Sequence, residues 1–360
     1  MDSKEIRAIA FYLPQFYPTP ENDEWWEPGF TEWTNVAKAK PLFKGHYQPR
    51  IPRDLSFYDL RVPEVREKQA EMARSVGIEG FCYWHYWFAG RRLLDQVFRE
   101  VVETGKPDYP FCLCWANHSW KAKTWNPNMP DQMLIEQTYP GVEDYKAHFY
   151  AMLPAFKDKR YMSVDGKLIF GIFAPVDFHD FPLFAETWNQ LAKENGLAGF
   201  HFFALAQGTK NLSKFDHSSY NSIVFDKLMD PFREQESTWL KRRYKSLLYR
   251  LHKPIVLDYN RYVDQSIEAF RNSDRLIPCI DPDFDHTPRS SYRWVIYGNS
   301  SPDKWERLCK SCVEILQTRK TNNSLLFIKS WNEWGEGNYL EPDQKWGRAY
   351  MDATAKAFTK

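Results

Sequence analysis

Apolar runs of strand length recur eight times along the chain, at Ile6–Tyr12, Ile78–Trp84, Phe111–Trp115, Leu168–Phe173, Phe200–Ala206, Ser222–Phe225, Leu276–Ile280 and Leu325–Ser330. They read as buried strands, with the sixth the weakest. Several of the intervals carry apolar residues at helical spacing, at Val62–Val76, Glu143–Leu153, Phe184–Glu194, Ile267–Asn272 and Lys304–Thr318. Strands that alternate with helices imply parallel pairing through right-handed crossovers. Eight such strands are the number that closes a parallel barrel. The expected fold is α/β, a (β/α)8 TIM barrel, with residues 1–360 forming a single domain. No repeat, low-complexity tract or Gly/Ser linker argues for a division. The interval from Gln15 to Leu60 is too long for a simple strand-to-helix loop. Its Trp25, Trp26, Phe30, Trp33 and Tyr47 predict a folded flap that forms part of a cleft wall.

Charge and composition narrow the ligand classes. Lys and Arg number 48 against 47 Asp and Glu, a net charge of +1, so a groove that tracks nucleic-acid phosphates is not supported. The most basic stretch, Lys241-Arg242-Arg243-Tyr244-Lys245, is followed by Leu247, Leu248 and Leu251 and reads as a helix with a solvated face. Membrane contact there is the lesser reading. Aromatic residues make up 17% of the chain, more than packing requires, and point to ligands that stack on rings, sugars or nucleobases. Met1-Asp2-Ser3-Lys4-Glu5 lacks the basic start and apolar stretch of a secretory signal, and no apolar span of membrane length occurs. A soluble, cytoplasmic protein is expected. Cys82, Cys112, Cys114 and Cys279 lie in or beside strand-like runs and Cys309-Lys310-Ser311-Cys312 falls mid-helix, so all six cysteines are expected as buried thiols without disulfides.

In a barrel of this kind the residues just after each strand line the site. The first run ends Tyr12-Leu13-Pro14-Gln15, the second Trp84-His85-Tyr86-Trp87, the third Trp115-Ala116-Asn117-His118, and the seventh Asp281-Pro282-Asp283-Phe284-Asp285-His286. The eighth ends Ser330-Trp331-Asn332-Glu333-Trp334-Gly335-Glu336-Gly337-Asn338-Tyr339-Leu340-Glu341. Carboxylates next to flat rings are what glycosidic cleavage needs, because acids act on one bond while pyranose rings lie on apolar faces. Ser330-x-x-Glu333 also fits a helix capping box. Gly335 and Gly337 oppose that reading, since each costs a helix about 1 kcal/mol relative to alanine. Glu333 and Glu336 are therefore the candidate catalytic pair. Tyr12, Gln15, Trp84, His85, Tyr86, Trp115, Asn117, Asp285, Trp331, Asn332, Trp334 and Glu341 are the candidate substrate-binding residues. Dull alternatives exist for some of them. His85, among five aromatic residues, also reads as a core histidine, and Asn117 with His118 as a turn. Asp281 and Asp283 alone suggest a divalent metal on a nucleotide diphosphate. No glycine-rich phosphate loop, HExxH or EF-hand pattern is present, and neither cofactor nor metal is expected.

Phe11-Tyr12-Leu13-Pro14-Gln15-Phe16, Gly29-Phe30-Thr31-Glu32-Trp33-Thr34-Asn35-Val36, Lys40-Pro41-Leu42-Phe43 with Gly45-His46-Tyr47-Gln48-Pro49, Cys114-Trp115-Ala116-Asn117 and Trp331-Asn332-Glu333-Trp334-Gly335-Glu336-Gly337 resemble the WbsX-like proteins, which are grouped with glycoside hydrolase family 99. The likeness runs from the first strand to the last. It implies a (β/α)8 barrel that acts on α-linked manno-configured or related sugars of an oligosaccharide or polysaccharide. It implies that Glu333 takes a proton from the sugar 2-hydroxyl, giving a 1,2-anhydro intermediate, while Glu336 protonates the departing oxygen, with overall retention. Glu341 would hold a substrate hydroxyl. Phe284-Asp285-His286-Thr287-Pro288-Arg289 is similar to the WbsX-like Trp-Asp-Asn-Thr stretch with two substitutions. The alternatives are a WbsX-type glycosyltransferase of surface-polysaccharide assembly and a non-catalytic carbohydrate-binding barrel. The sequence does not give the oligomeric state.

Overall fold

A computed structural model describes residues 5–122, 132–234, 238–290, 294–320 and 324–359. Met1–Lys4, on which the reading of the leader rests, lie outside these residues. The eight apolar runs form eight strands: β1 (Arg7–Tyr12), β2 (Ile78–Phe88), β3 (Phe111–Trp115), β4 (Lys167–Ile172), β5 (Phe200–Gln207), β6 (Ser222–Asp226), β7 (Leu276–Ile280) and β8 (Leu325–Ile328). Each pairs in parallel with its neighbours in sequence. β1 pairs with both β2 and β8, Ile9 lying opposite Gly80 on one side and Phe327 on the other, and this closes the barrel.

Alternate residues of every strand face the barrel interior, so side chains of opposite destiny sit next to each other in sequence. Phe11, Trp84, Phe203 and Phe327 point inward, with Phe11 stacked on Trp84 at 4.5 Å and Phe327 packed on Phe203 at 4.8 Å. Phe170 and Phe202 point outward onto Trp188 of the helical layer. Burial of each such ring contributes ~1.5–3 kcal/mol.

The helices that cover the barrel are α1 (Glu32–Lys38), α2 (Pro63–Ser75), α3 (Gln96–Thr104), α4 (Val142–Phe156), α5 (Phe181–Glu194), α6 (Trp239–Arg250), α7 (Tyr259–Arg271), α8 (Pro302–Thr318) and α9 (Ala349–Phe358). α7 begins well before the expected Ile267. Asp258 caps it by accepting from the Asn260 N–H, and Tyr259, Tyr262, Val263, Ile267 and Phe270 form its buried stripe. All six cysteines are free and buried, with Cys309 and Cys312 inside α8. Among the described residues no helix is long and apolar enough to cross a membrane.

The stretch from Gln15 to Leu60 folds as expected but sits elsewhere. Beyond Gln15 it contributes no residue to the cleft described below. Trp33 of α1, capped by reciprocal Thr31–Thr34 bonds, packs against Phe16, Tyr58 and Trp334. The insertion is a buttress behind the site, with Trp33 against Trp334 and Trp25 edge-on to Trp120.

Candidate active site

After β8 the chain turns back on itself. Asn332–Glu333 pairs antiparallel with Asn338–Tyr339 around a tight turn, Trp334–Glu336. The turn is a single 3-10 turn and no α-helix starts here, and the two glycines explain why. Gly337 takes φ 69°, and a Cβ on it would stand 2.9 Å from Cζ of Arg50; a Cβ on Gly335 would stand 2.3 Å from Oε2 of Glu32. Only hydrogen fits at both places, so the turn lies directly on a buried layer of charge.

That layer is centred on Arg289. Its guanidinium donates to three carboxylates at once: Nε to Glu32 at 3.0 Å, Nη1 to Glu336 at 2.8 Å, and Nη2 to Glu333. Glu32 and Glu333 are almost fully enclosed, whereas 22% of the Glu336 side chain remains open. Burial raises Glu333 to about 7, which Arg289 opposes and the neighbouring Glu336 reinforces. Burial pushes Glu336 the same way, but Arg289, Lys329 and His286 outweigh it and hold its carboxyl below the usual range. Lys329 is itself buried against Asp226, with Nζ 3.4 Å from the carboxylate, and is kept charged by Asp226, Glu336 and Asp281.

Glu333 and Glu336 open together into a cleft of about 630 Å³ at the carboxyl ends of the strands. Its walls include Leu13, Gln15, Trp84, Tyr86, His118, Trp120 and Phe173 on one side and Phe284, His286, Phe232 and Tyr249 on the other. Gln207, Asp226, Arg289 and Lys329 supply polar groups. Of the candidates from sequence, Glu333, Glu336, Gln15, Trp84 and Tyr86 line this space.

The others do not, and strand alternation explains several of them. His85 lies between Trp84 and Tyr86 and therefore faces outward, where its Nε2 meets Nε2 of His148 at 2.7 Å; burial holds both rings neutral. The core-histidine reading is the right one. Tyr12 likewise turns away, its hydroxyl donating to Gln69 of α2 at 2.6 Å. Trp115 is fully buried among Tyr139, His148, Phe178 and Phe184. Asn117 pins a turn, accepting from the Ala174 N–H and donating to Tyr139.

The remaining corrections concern groups whose bonding capacity is used up inside the protein. Asn332 clamps both backbone groups of Leu13. Trp331 and Trp334 donate their indole N–H groups to Glu341, which also accepts from Tyr58 and Gln69. Glu341 is thus a structural node with no site left for a substrate hydroxyl, although burial still raises its carboxyl to about 7. Asp285 accepts from His46, Gln48 and Thr287; burial would raise it, but His46, Arg50 and Thr287 hold it at about 2. Asp281 and Asp283 do not form a metal pair: Asp281 faces Tyr262 and Asn338, and Asp283 is ion-paired with Arg50 at 2.8 Å. Sequence reasoning missed Glu32, Arg289, Lys329, Asp226 and His286. Glu32 and Arg289 stand 257 positions apart, and no local pattern joins them.

Residues 8–354 match the family described as "Glycosyltransferase WbsX". The chain belongs to the WbsX family. Among curated proteins, the "Uncharacterized protein WxcX" of Xanthomonas campestris pv. campestris, from two strains, is 34% identical over 355 residues, which cover 98% of this chain. The match takes in 49% of WxcX, so this WbsX-family chain spans about half the length of the curated relatives it matches. Among solved structures, a "Glycoside hydrolase-like protein" superposes with a TM-score of 0.59 at 11% identity, covering 100% of this chain and 96% of the other. The family 99 endo-alpha-mannosidase from Bacteroides thetaiotaomicron gives 0.52 at 15% identity, covering 97% and 96%. These likenesses show that the chain shares its barrel fold with the family 99 endo-alpha-mannosidase.

Proposed function

We propose that this chain is a retaining α-glycosidase or transglycosylase acting on manno-configured or related sugars of an oligosaccharide or polysaccharide. The observation that carries this reading is the joint opening of Glu333 and Glu336 into one ring-walled cleft, where burial raises Glu333 while Arg289, Lys329 and His286 lower Glu336. The manno configuration comes from the resemblance of the Asn332-Glu333-Trp334-Gly335-Glu336 block and from the endo-alpha-mannosidase that shares the fold.

The electrostatics of the free cleft favour the reverse of the roles that the resemblance implies. Glu333, the group with the raised pKa, is suited to protonate the departing oxygen. Glu336, kept ionised by Arg289 and Lys329, is suited to take the 2-hydroxyl proton as that oxygen attacks the anomeric carbon and the leaving-group bond breaks. Water then opens the 1,2-anhydro sugar, giving its proton to Glu333 while Glu336 returns its own to the 2-oxygen, and two inversions give retention.

Substrates that need no acid separate the roles. On an α-linked manno-oligosaccharyl fluoride, Glu336→Gln should lower kcat at least about a hundredfold, whereas Glu333→Gln should keep the fluoride-releasing step and lose that step only on alkyl glycosides, its slowed water step being restored by azide, a nucleophile that needs no base. Wild-type rates in both variants would overturn the reading, and binding without any product would leave a carbohydrate-binding barrel. The description of the family favours a second reading, transfer from an activated donor. Calorimetric binding of a nucleotide sugar, with no hydrolysis of any glycoside, would select it.

A further inference from the structure

Helix α6 carries two apolar stripes, and only one of them is used. Leu248 and Tyr249 rest on the core, which is what the sequence leads one to expect of a surface helix. Leu240, Tyr244, Leu247 and Leu251 recur at intervals of four, three and four, which is one continuous line along a second face. They are exposed by 71, 60, 50 and 57%, and Trp239 at the start of the helix by 58%. No residue of α6 is buried.

The charges carried by this stretch are all of one sign. From Trp239 to Pro254 the chain holds Lys241, Arg242, Arg243, Lys245, Arg250 and Lys253 and not one Asp or Glu. Arg243 lies over the Trp239 ring at 4.9 Å, so a cation and an indole stand together at the end of the stripe. A helix with leucines and an aromatic ring on one face, flanked by Lys and Arg, lies in the interface of an anionic bilayer with its apolar side among the acyl chains.

We propose that α6 docks this chain onto a membrane surface rich in anionic lipid. Lys245 and Tyr249, on the opposite side of the same helix, line the cleft, so docking through the stripe leaves the cleft open. The inference is independent of the glycosidase reading, since it rests on the outer face of α6 and not on the carboxylates.

The test is co-sedimentation of the whole chain with large unilamellar vesicles of phosphatidylcholine, with and without phosphatidylglycerol. Binding is expected only when phosphatidylglycerol is present, to weaken with added salt, and to fall at least about tenfold when Leu240→Asp and Leu247→Asp are combined. Both leucines are exposed, so the double variant should keep the wild-type melting temperature. As a second measurement, Leu247→Cys carries an environment-sensitive dye selectively, because the native cysteines are buried. Its emission should shift to the blue on phosphatidylglycerol vesicles. Equal binding to both vesicle types, no binding to either, an unshifted dye, or undiminished binding by the double variant would overturn the proposal. A dimer in solution that the double variant converts to monomer would assign the stripe to a second copy and overturn it equally.

Discussion

Glu333→Gln should make the protein more stable above neutrality. A carboxyl whose pKa rises on folding binds its proton more tightly in the folded chain than in the unfolded one. The stability it contributes is therefore fully present below pH 4.5, declines as the pH climbs, and is gone once the pH passes about 7. A rise from 4.5 to about 7 corresponds to about 3 kcal/mol. Glutamine keeps the shape and the acceptor for Arg289 but cannot ionise, so it avoids this loss. The variant should match the wild type near pH 4.5 and exceed it by up to about 3 kcal/mol at pH 8. With an unfolding entropy of about 2 cal/mol/K per residue, 360 residues turn this into a Tm difference of about 4 °C. Scanning calorimetry of both proteins across that pH range measures it. Glu341, also raised to about 7, titrates in both proteins and drops out of the difference. A Tm difference that does not change with pH would refute the reasoning, because it would mean that Glu333 is not the group that resists ionisation.

Arg289→Met leaves Glu32, Glu333 and Glu336 without their shared cation and should cost about 3–5 kcal/mol in urea unfolding, and Arg289→Lys should not restore the loss, since one ammonium cannot reproduce a three-way fork. His85→Phe breaks the bond to His148 and should lower stability by about 1–3 kcal/mol while kcat/KM on any accepted substrate stays within about twofold, as befits a residue outside the cleft. Trp84→Leu removes a ring from the cleft wall and should raise KM about tenfold with little change in kcat, a split that steady-state kinetics resolves.

The barrel was legible because each strand is a compact apolar run, and burial on both faces leaves no other use for such runs. The catalytic candidates were legible because their chemistry is local: Glu333, Glu336 and two glycines share one short turn. Reading consecutive residues at the strand ends was less successful. Trp84 and Tyr86 reach the cleft, but His85 between them cannot, since strand geometry sends it to the other side of the sheet. Glu341 and Asp285 look like ligand groups in sequence, and only the fold shows that indoles, a tyrosine, glutamines, a threonine and a histidine already occupy them. Arg289 lay inside a stretch singled out for its resemblance, yet nothing in that stretch says that it will meet a glutamate from the other end of the chain.

Arg289 joins α1 to the turn of β8, and Tyr58 and Gln69 grip Glu341 under that same turn. The early part of the chain and its last loop are therefore one mechanical piece, although residues 16–60 put no side chain against the cleft. Grafting that segment from a relative would change neither the cleft nor its rings, but a graft that altered Glu32 would change the third anion that shares Arg289 and with it the acidity of Glu333. Chimeras cut there should differ in the pH at which they work before they differ in which sugar they accept.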